Sequence, residues 1–189
     1  MNALQKLTKR EKGMSLIELM IAMVVLMVGV LAVMSLIAVA IGSNARNRRD
    51  STGTMLAEMV LDQISAIPVG ASPSTVSISE PYCPTNSSPN SYIIESAGSP
   101  SGAGANLSGS NIDFTQGAAT ITANYSMMYT VCGPSNDTRT VYDVRWNVQT
   151  ITANSNFVTV AARIRNSGTD PRLFAIPVTL RTVVGNAGN

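Results

Sequence analysis

At 189 residues and a formal charge of +2, the chain has room for one domain with appendages. It has no histidine and only two cysteines, which removes the commonest general acid–base residue and the usual zinc ligand sets. Every lysine lies in the first 13 residues; nine basic and ten acidic residues remain in 14–189, too balanced for a broad nucleic-acid surface, with Arg46, Arg48 and Arg49 the only basic cluster.

Residues 1–13, MNALQKLTKREKG, are polar and basic, with Lys6, Lys9, Arg10 and Lys12 against Glu11. Residues 19–41 follow as 23 positions without a charge. A bilayer-spanning helix needs about 20 apolar residues, so this run suffices. A secretory signal has an apolar region of only about 7–15 residues. Polar SNARNRRDSTG comes next, then TMLAEMVLDQISAIP, in which Leu56, Val60, Ile64 and Ile67 recur at helical spacing. Met55 and Met59 widen that stripe, Glu58 and Asp62 lie off it, and Pro68 stops the helix. The reading is one helix over 14–66, apolar all round in its first half and amphipathic in its second. Gly42, Ser43, Asn44 and Gly53 are its expected weak points.

Residues 68–111 are rich in Pro, Ser and Gly, with short strands expected at 75–79 and 91–95 and a flexible loop at 99–111. The last third carries clearer patterns. In VYDVRWNVQTI, Tyr142, Val144, Trp146 and Val148 alternate with Asp143, Arg145, Asn147 and Gln149, which predicts a half-buried strand with one wet face. NSNF is a turn. In FVTVAARIR, Val158, Val160, Ala162 and Ile164 form one face. NSGTDPR is a second turn. In FAIPVTLRTVV, Phe174, Ile176, Val178 and Leu180 form one face, and Pro177 marks an edge strand because it cannot donate to a ladder. These make an antiparallel meander, which a strand within 118–131 can join. The amphipathic segment 54–67 is the available cover for its apolar face. The fold class is therefore α+β, a long N-terminal hydrophobic helix packed on a C-terminal antiparallel sheet.

The remaining chemistry is sparse. Cys83 and Cys132 fall outside the apolar run, and an even count in an exported domain reads as one disulfide, the alternative being two buried thiols. Asp113, Asp137, Asp143 and Asp170 are scattered and read as turn or wet-face residues. Calcium near Asn136 and Asp137, or near Thr169 and Asp170, has no ligand spacing behind it. Trp146, at strand spacing, reads as core. No catalytic residue, metal site or cofactor is called for.

Gly13, Met14, Ser15, Leu16, Ile17 and Glu18 resemble the cleavage and methylation motif of type IV pilins and type II secretion pseudopilins: a Gly ending a basic leader, an apolar first mature residue, Ser, two aliphatics, and Glu fifth. Met14 stands where Phe is usual in that family. The resemblance implies a pilin-like fold and no enzymatic activity. It implies a cytoplasmic leader, 1–13, cut after Gly13 by a membrane-embedded prepilin peptidase that methylates the Met14 amine. It divides the rest into a transmembrane and filament-core helix at 14–42, its amphipathic continuation at 43–67, and an exported β-rich domain at 68–189. The chain would cross the inner membrane once, with that domain in the periplasm, and then enter the pilus.

Glu18 carries a physical expectation of its own. A carboxylate at the head of an apolar helix costs about 2.5–3.5 kcal/mol near the bilayer centre and less at the interface. Cleavage after Gly13 creates an amine four residues away, and methylation leaves it cationic. In a helix bundle a neighbour's Met14 amine can neutralise Glu18; alternatively, Glu18 stays hydrated at the interface.

Within the family, major pilins usually carry a Pro where this chain has Ser35, and the long helix, the Met-rich apolar run, the VRWNV strand and the final IPVTLRTVV strand are similar to the minor pilins called PilV, type IV pilus modification proteins. The partners implied are other minor pilins, the major pilin, the prepilin peptidase, the inner-membrane assembly platform and, before assembly, membrane lipid. Alternatives are a minor pseudopilin of a type II secretion system and a pilus-tip adhesin or DNA-uptake pilin. The last would need a cationic stripe from Arg139, Arg145, Arg163, Arg165, Arg172 and Arg181, of which Arg145 and Arg163 are expected on wet faces, and nucleic acid is not the expected partner.

Overall fold

The computed structural model describes residues 15–80, 89–132, 139–165 and 176–186. One long N-terminal apolar helix, α1 (Leu16–Ala66), is followed by antiparallel sheet, an α+β pilin-like architecture. The chain forms two compact units, Met1–Arg46 and Asn47–Asn189.

In the first unit, α1 is built from Leu, Met, Ala and Val, and runs unbroken past Gly42, Ser43 and Asn44, so the weak points expected there do not interrupt it. The Ser35 hydroxyl folds back onto the Ala32 carbonyl at 2.8 Å, which hides its polar atom within the helix.

In the second unit, the end of α1 buries Gly53, Leu56, Ala57, Val60 and Ile64. Gly53 is a packing site rather than a weak point: a Cβ there would meet Val178 at 3.7 Å and the Tyr142 ring at 3.9 Å. The small residues Gly53 and Ala57 centre the buried face. Met55, expected to widen it, is exposed, because two residues on from Gly53 lies about 200° around a helix of 3.6 residues per turn. Glu58 and Asp62 are exposed as expected. The helix stops two residues before Pro68, where the Ile67 N–H closes a tight turn on the Ile64 carbonyl.

The strands are β1 (Thr75–Ser79), β2 (Ser91–Glu95), β3 (Ala103–Gly104), β4 (Leu107–Ser108), β5 (Asn111–Ile112), β6 (Ser126–Cys132), β7 (Arg139–Thr152), β8 (Ser155–Ile164) and β9 (Val178–Gly185). β1 and β2 form an antiparallel pair where two short strands are expected. β7, β8 and β9 form the antiparallel meander, and β9 is an edge strand that begins just after Pro177. On the other side of β7, β6 pairs with its first half and β3 with its second. Of the expected strand at 118–131, only 126 onward is paired as a strand; Ala118–Thr120 is a single 3₁₀ turn. The expected flexible loop at 99–111 instead contributes β3, β4 and the start of β5.

The core lies between the end of α1 and one face of the sheet, where Val144, Trp146, Val148, Val158 and Val160 are fully buried with Leu56, Ala57 and Val60. Trp146 is core, as its spacing indicates, and its indole N–H donates to the Glu95 carbonyl at 2.9 Å. The Tyr142 hydroxyl donates to the Arg49 carbonyl at 3.2 Å, tying helix to sheet.

Of the expected wet face of β7, only Gln149 is exposed. Asp143, Arg145 and Asn147 are buried, because the segment between β3 and β6 folds across them. Phe174 and the expected turn at 166–172 lie outside the described residues, as do Asp137, Asp170 and Arg172.

Candidate functional site

The head of α1 is the first candidate. The Ser15 carbonyl accepts the amides of Glu18 at 3.0 Å and Leu19 at 3.1 Å, so the first helical turn closes on Ser15. Glu18 stands in that first turn, where a carboxylate is favoured by the positive end of the helix dipole. Its side chain is exposed, and so is every residue from Ser15 to Arg48. Met20, Val24, Leu31 and Leu36 are each more than half exposed. α1 is long and apolar enough to cross a membrane. A surface of this kind is stable only against lipid or against other helices. Of the residues that carry the motif, Ser15 to Glu18 are described, whereas Gly13 and Met14 lie outside the described residues, as does Cys83. Cys132 ends β6 opposite Arg139 of β7.

The second candidate is the polar cluster on the covered face of the sheet. Arg145 donates from Nε to Asp143 Oδ1 at 2.8 Å and from a terminal nitrogen to Oδ2 at 2.7 Å, a bidentate pair with both side chains buried. Its other terminal nitrogen donates to the carbonyls of Asp113 and Gln116. Arg163 comes within 3.8 Å of Asp143, and both guanidinium groups stack on Phe114, at 4.9 Å for Arg145 and 4.4 Å for Arg163. Asn147 donates to the Ala105 carbonyl at 2.9 Å. Burial lowers the Arg163 pKa, and Asp143 acts against that. Asp113 turns the chain: its carboxylate accepts the Thr115 amide and hydroxyl, which hold its pKa below the ordinary value.

This cluster holds chain to sheet; its charges satisfy one another and the covering segment. Arg145, a candidate for a cationic stripe, is therefore spent inside. The sequence signal was present but easily misread: an acid and an arginine two apart share one strand face, and β8 places Arg163 directly opposite Asp143. Among the described residues, no group of His, Cys, Asp and Glu is arranged to hold a metal ion.

Comparison with known proteins adds one match: the prokaryotic N-terminal methylation motif, over residues 8–34. No curated protein and no solved structure matches the chain. The matched stretch contains Gly13, Met14, Glu18 and residues 19–34 of the apolar run. It marks a type IV pilin-like protein, a class of structural proteins rather than enzymes. The motif implies processing by a prepilin peptidase and assembly with other pilins, and together with α1 it fits inner-membrane anchoring followed by entry into a pilus.

Proposed function

We propose that the chain is a minor pilin of a type IV pilus, of the pilus modification kind, acting in pilus assembly or initiation by inserting α1 into the filament. The observation that carries this reading is the methylation motif standing in register with Glu18 at the head of a helix whose apolar residues are exposed from Ser15 to Arg48. Peptidase cleavage between Gly13 and Met14 removes the basic leader and leaves an N-methylated, cationic Met14. In the membrane the helix is solvated by lipid, with Glu18 near the headgroups and the β-rich domain in the periplasm. In the filament, neighbouring helices replace lipid, and Glu18 pairs with the Met14 amine of an adjacent subunit. Domain boundaries follow from this: leader 1–13, core helix 14–42, amphipathic continuation 43–67 and exported domain 68–189.

Cys83 and Cys132 form a disulfide in this reading, closing a loop of about 50 residues that the chain-entropy model values at about 4 kcal/mol. Cys132 is not a free thiol, which supports the pairing.

The experiment is to recover the protein from cells with and without the peptidase, measure its intact mass, and assay sheared pili for it. The reading requires a mature chain beginning at N-methylated Met14 and its presence in the pili. A processed chain absent from pili, but needed for protein secretion, would instead favour a type II pseudopilin.

A further inference from the structure

β6 pairs with β7 through Met127, Tyr129 and Val131, which face residues of β7. The Met128 carbonyl and the Thr130 amide point the other way, toward the outer edge of the strand, because successive residues of a strand alternate their hydrogen-bonding direction. Among the described residues no strand lies along that edge. Two side chains occupy it instead. Oε1 of Glu80 accepts the Thr130 amide at 2.7 Å. The Tyr92 hydroxyl donates to the Met128 carbonyl and also lies 3.2 Å from the same Glu80 oxygen.

Both side chains come from the β1–β2 pair. Glu80 directly follows β1, and Tyr92 is the second residue of β2. The carboxylate is held from behind: Oε2 accepts the Asn90 amide at 3.3 Å and its side-chain nitrogen at 3.0 Å, while the Glu80 amide donates to the Asn90 carbonyl at 2.9 Å. Glu80 is only 5% exposed, a costly place for a carboxylate unless its acceptors are filled.

In a parallel ladder, one residue of a neighbouring strand donates to the carbonyl of residue i and accepts from the amide of residue i+2. Tyr92 supplies that donor and Glu80 that acceptor, at Met128 and Thr130. We propose that Glu80 and Tyr92 together take the place of a neighbouring strand on the β6 edge, closing it to strand addition by a second copy of this chain. An open edge is a template for such pairing, and the hazard grows where copies are crowded together in one membrane. A carboxylate suits the task because it only accepts, so it holds the amide and offers an incoming strand no donor. Tyr92 keeps its proton, its pKa being pushed up to about 12 by burial and by the Glu80 charge. The inference goes beyond the filament reading and stands without it.

The test uses the full chain in detergent micelles, comparing wild type with Glu80→Met, which removes the acceptor at similar length, Tyr92→Phe and the double variant. Two quantities are read: hydrogen exchange at the Thr130 amide, and self-association by sedimentation over a range of concentrations. The double variant should exchange Thr130 at least about tenfold faster and associate at concentrations where wild type does not. Adding Thr130→Pro to the double variant removes the edge donor and should return association to the wild-type level. Unchanged Thr130 exchange, unchanged association, or association that survives Thr130→Pro would each overturn the proposal. If the double variant does not fold, Tyr92→Phe alone decides through association, since it frees the Met128 carbonyl while keeping the ring and the carboxylate: more association than wild type supports edge closure, and wild-type association overturns it.

Discussion

Asp143 and Arg145 lie two residues apart on one strand and grip each other through two hydrogen bonds of 2.8 and 2.7 Å, both side chains buried. The pair fastens the segment between β3 and β6 to the sheet, since Arg145 also holds the carbonyls of Asp113 and Gln116. Breaking a buried pair from one side typically costs about 3–5 kcal/mol, because the remaining charge is stranded. Arg145→Met should therefore lower the unfolding free energy by about that amount in a denaturant titration. Arg163, 3.8 Å from Asp143, offers the carboxylate some relief. Arg145→Lys keeps the charge but loses the fork, and should fall between wild type and the Met variant.

Alkaline pH tests the buried phenols. The pKa values of Tyr92 and Tyr125 are both pushed from 10.0 to about 12, chiefly by burial, with nearby carboxylates adding to the effect. A folded pKa above the unfolded one lends stability that is complete below pH 10 and lost as pH rises toward 12. Tyr92 and Tyr125 should stay neutral in folded protein at pH 11, and unfolding the protein at that pH should raise its phenolate absorbance. Tyr125→Phe, which removes the hydroxyl donating to the Ala97 carbonyl, should flatten part of the alkaline loss of stability.

Gly104 sits at a φ of +103°, where a Cβ would come within 2.5 Å of the Trp146 carbonyl oxygen and of the Tyr125 ring. Neither the backbone nor the packed ring can retreat cheaply. Gly104→Ala should destabilise the domain by more than the roughly 1 kcal/mol that separates Gly from Ala at compatible sites, seen as a lower melting temperature.

The proposed disulfide is checked by thiol labelling of the exported domain in its native state. No label should be taken up before reduction, and two per chain afterwards. Two labelled thiols in the unreduced protein would remove the pairing of Cys83 with Cys132.

The strands that face the helix were legible because one face buries Val, Trp and Tyr at every second residue: β7 and β8 follow from Val144, Trp146, Val158 and Val160. The end of α1 was legible in Pro68. The other face of β7 was not. Alternation labels Asp143, Arg145 and Asn147 only as polar, and polar residues go to water unless something else satisfies them. What satisfies them is a Ser- and Gly-rich segment whose carbonyl groups, rather than its side chains, accept the hydrogen bonds, and composition carries no trace of that. Glu80 was invisible for the same reason, since its partners arise from pairing across strands. The head of α1 was legible as a motif because Gly13, Met14 and Glu18 satisfy unlike requirements in register.

The most direct test is Glu18→Ala, with the protein measured in sheared pili and in membranes and expressed as a ratio. A monomer can leave Glu18 among lipid headgroups, so membrane abundance and cleavage after Gly13 should stay near wild type. On the proposed pairing, loss of the carboxylate in a filament would strand the Met14 amine of a neighbour in an apolar core, at a cost of about 3–5 kcal/mol for a broken buried pair. The pilus-to-membrane ratio should then fall sharply, by tenfold or more at about 1.4 kcal/mol per factor of ten. A ratio equal to wild type would show that Glu18 is only a hydrated residue at the membrane surface, and would contradict assembly through the charge pair.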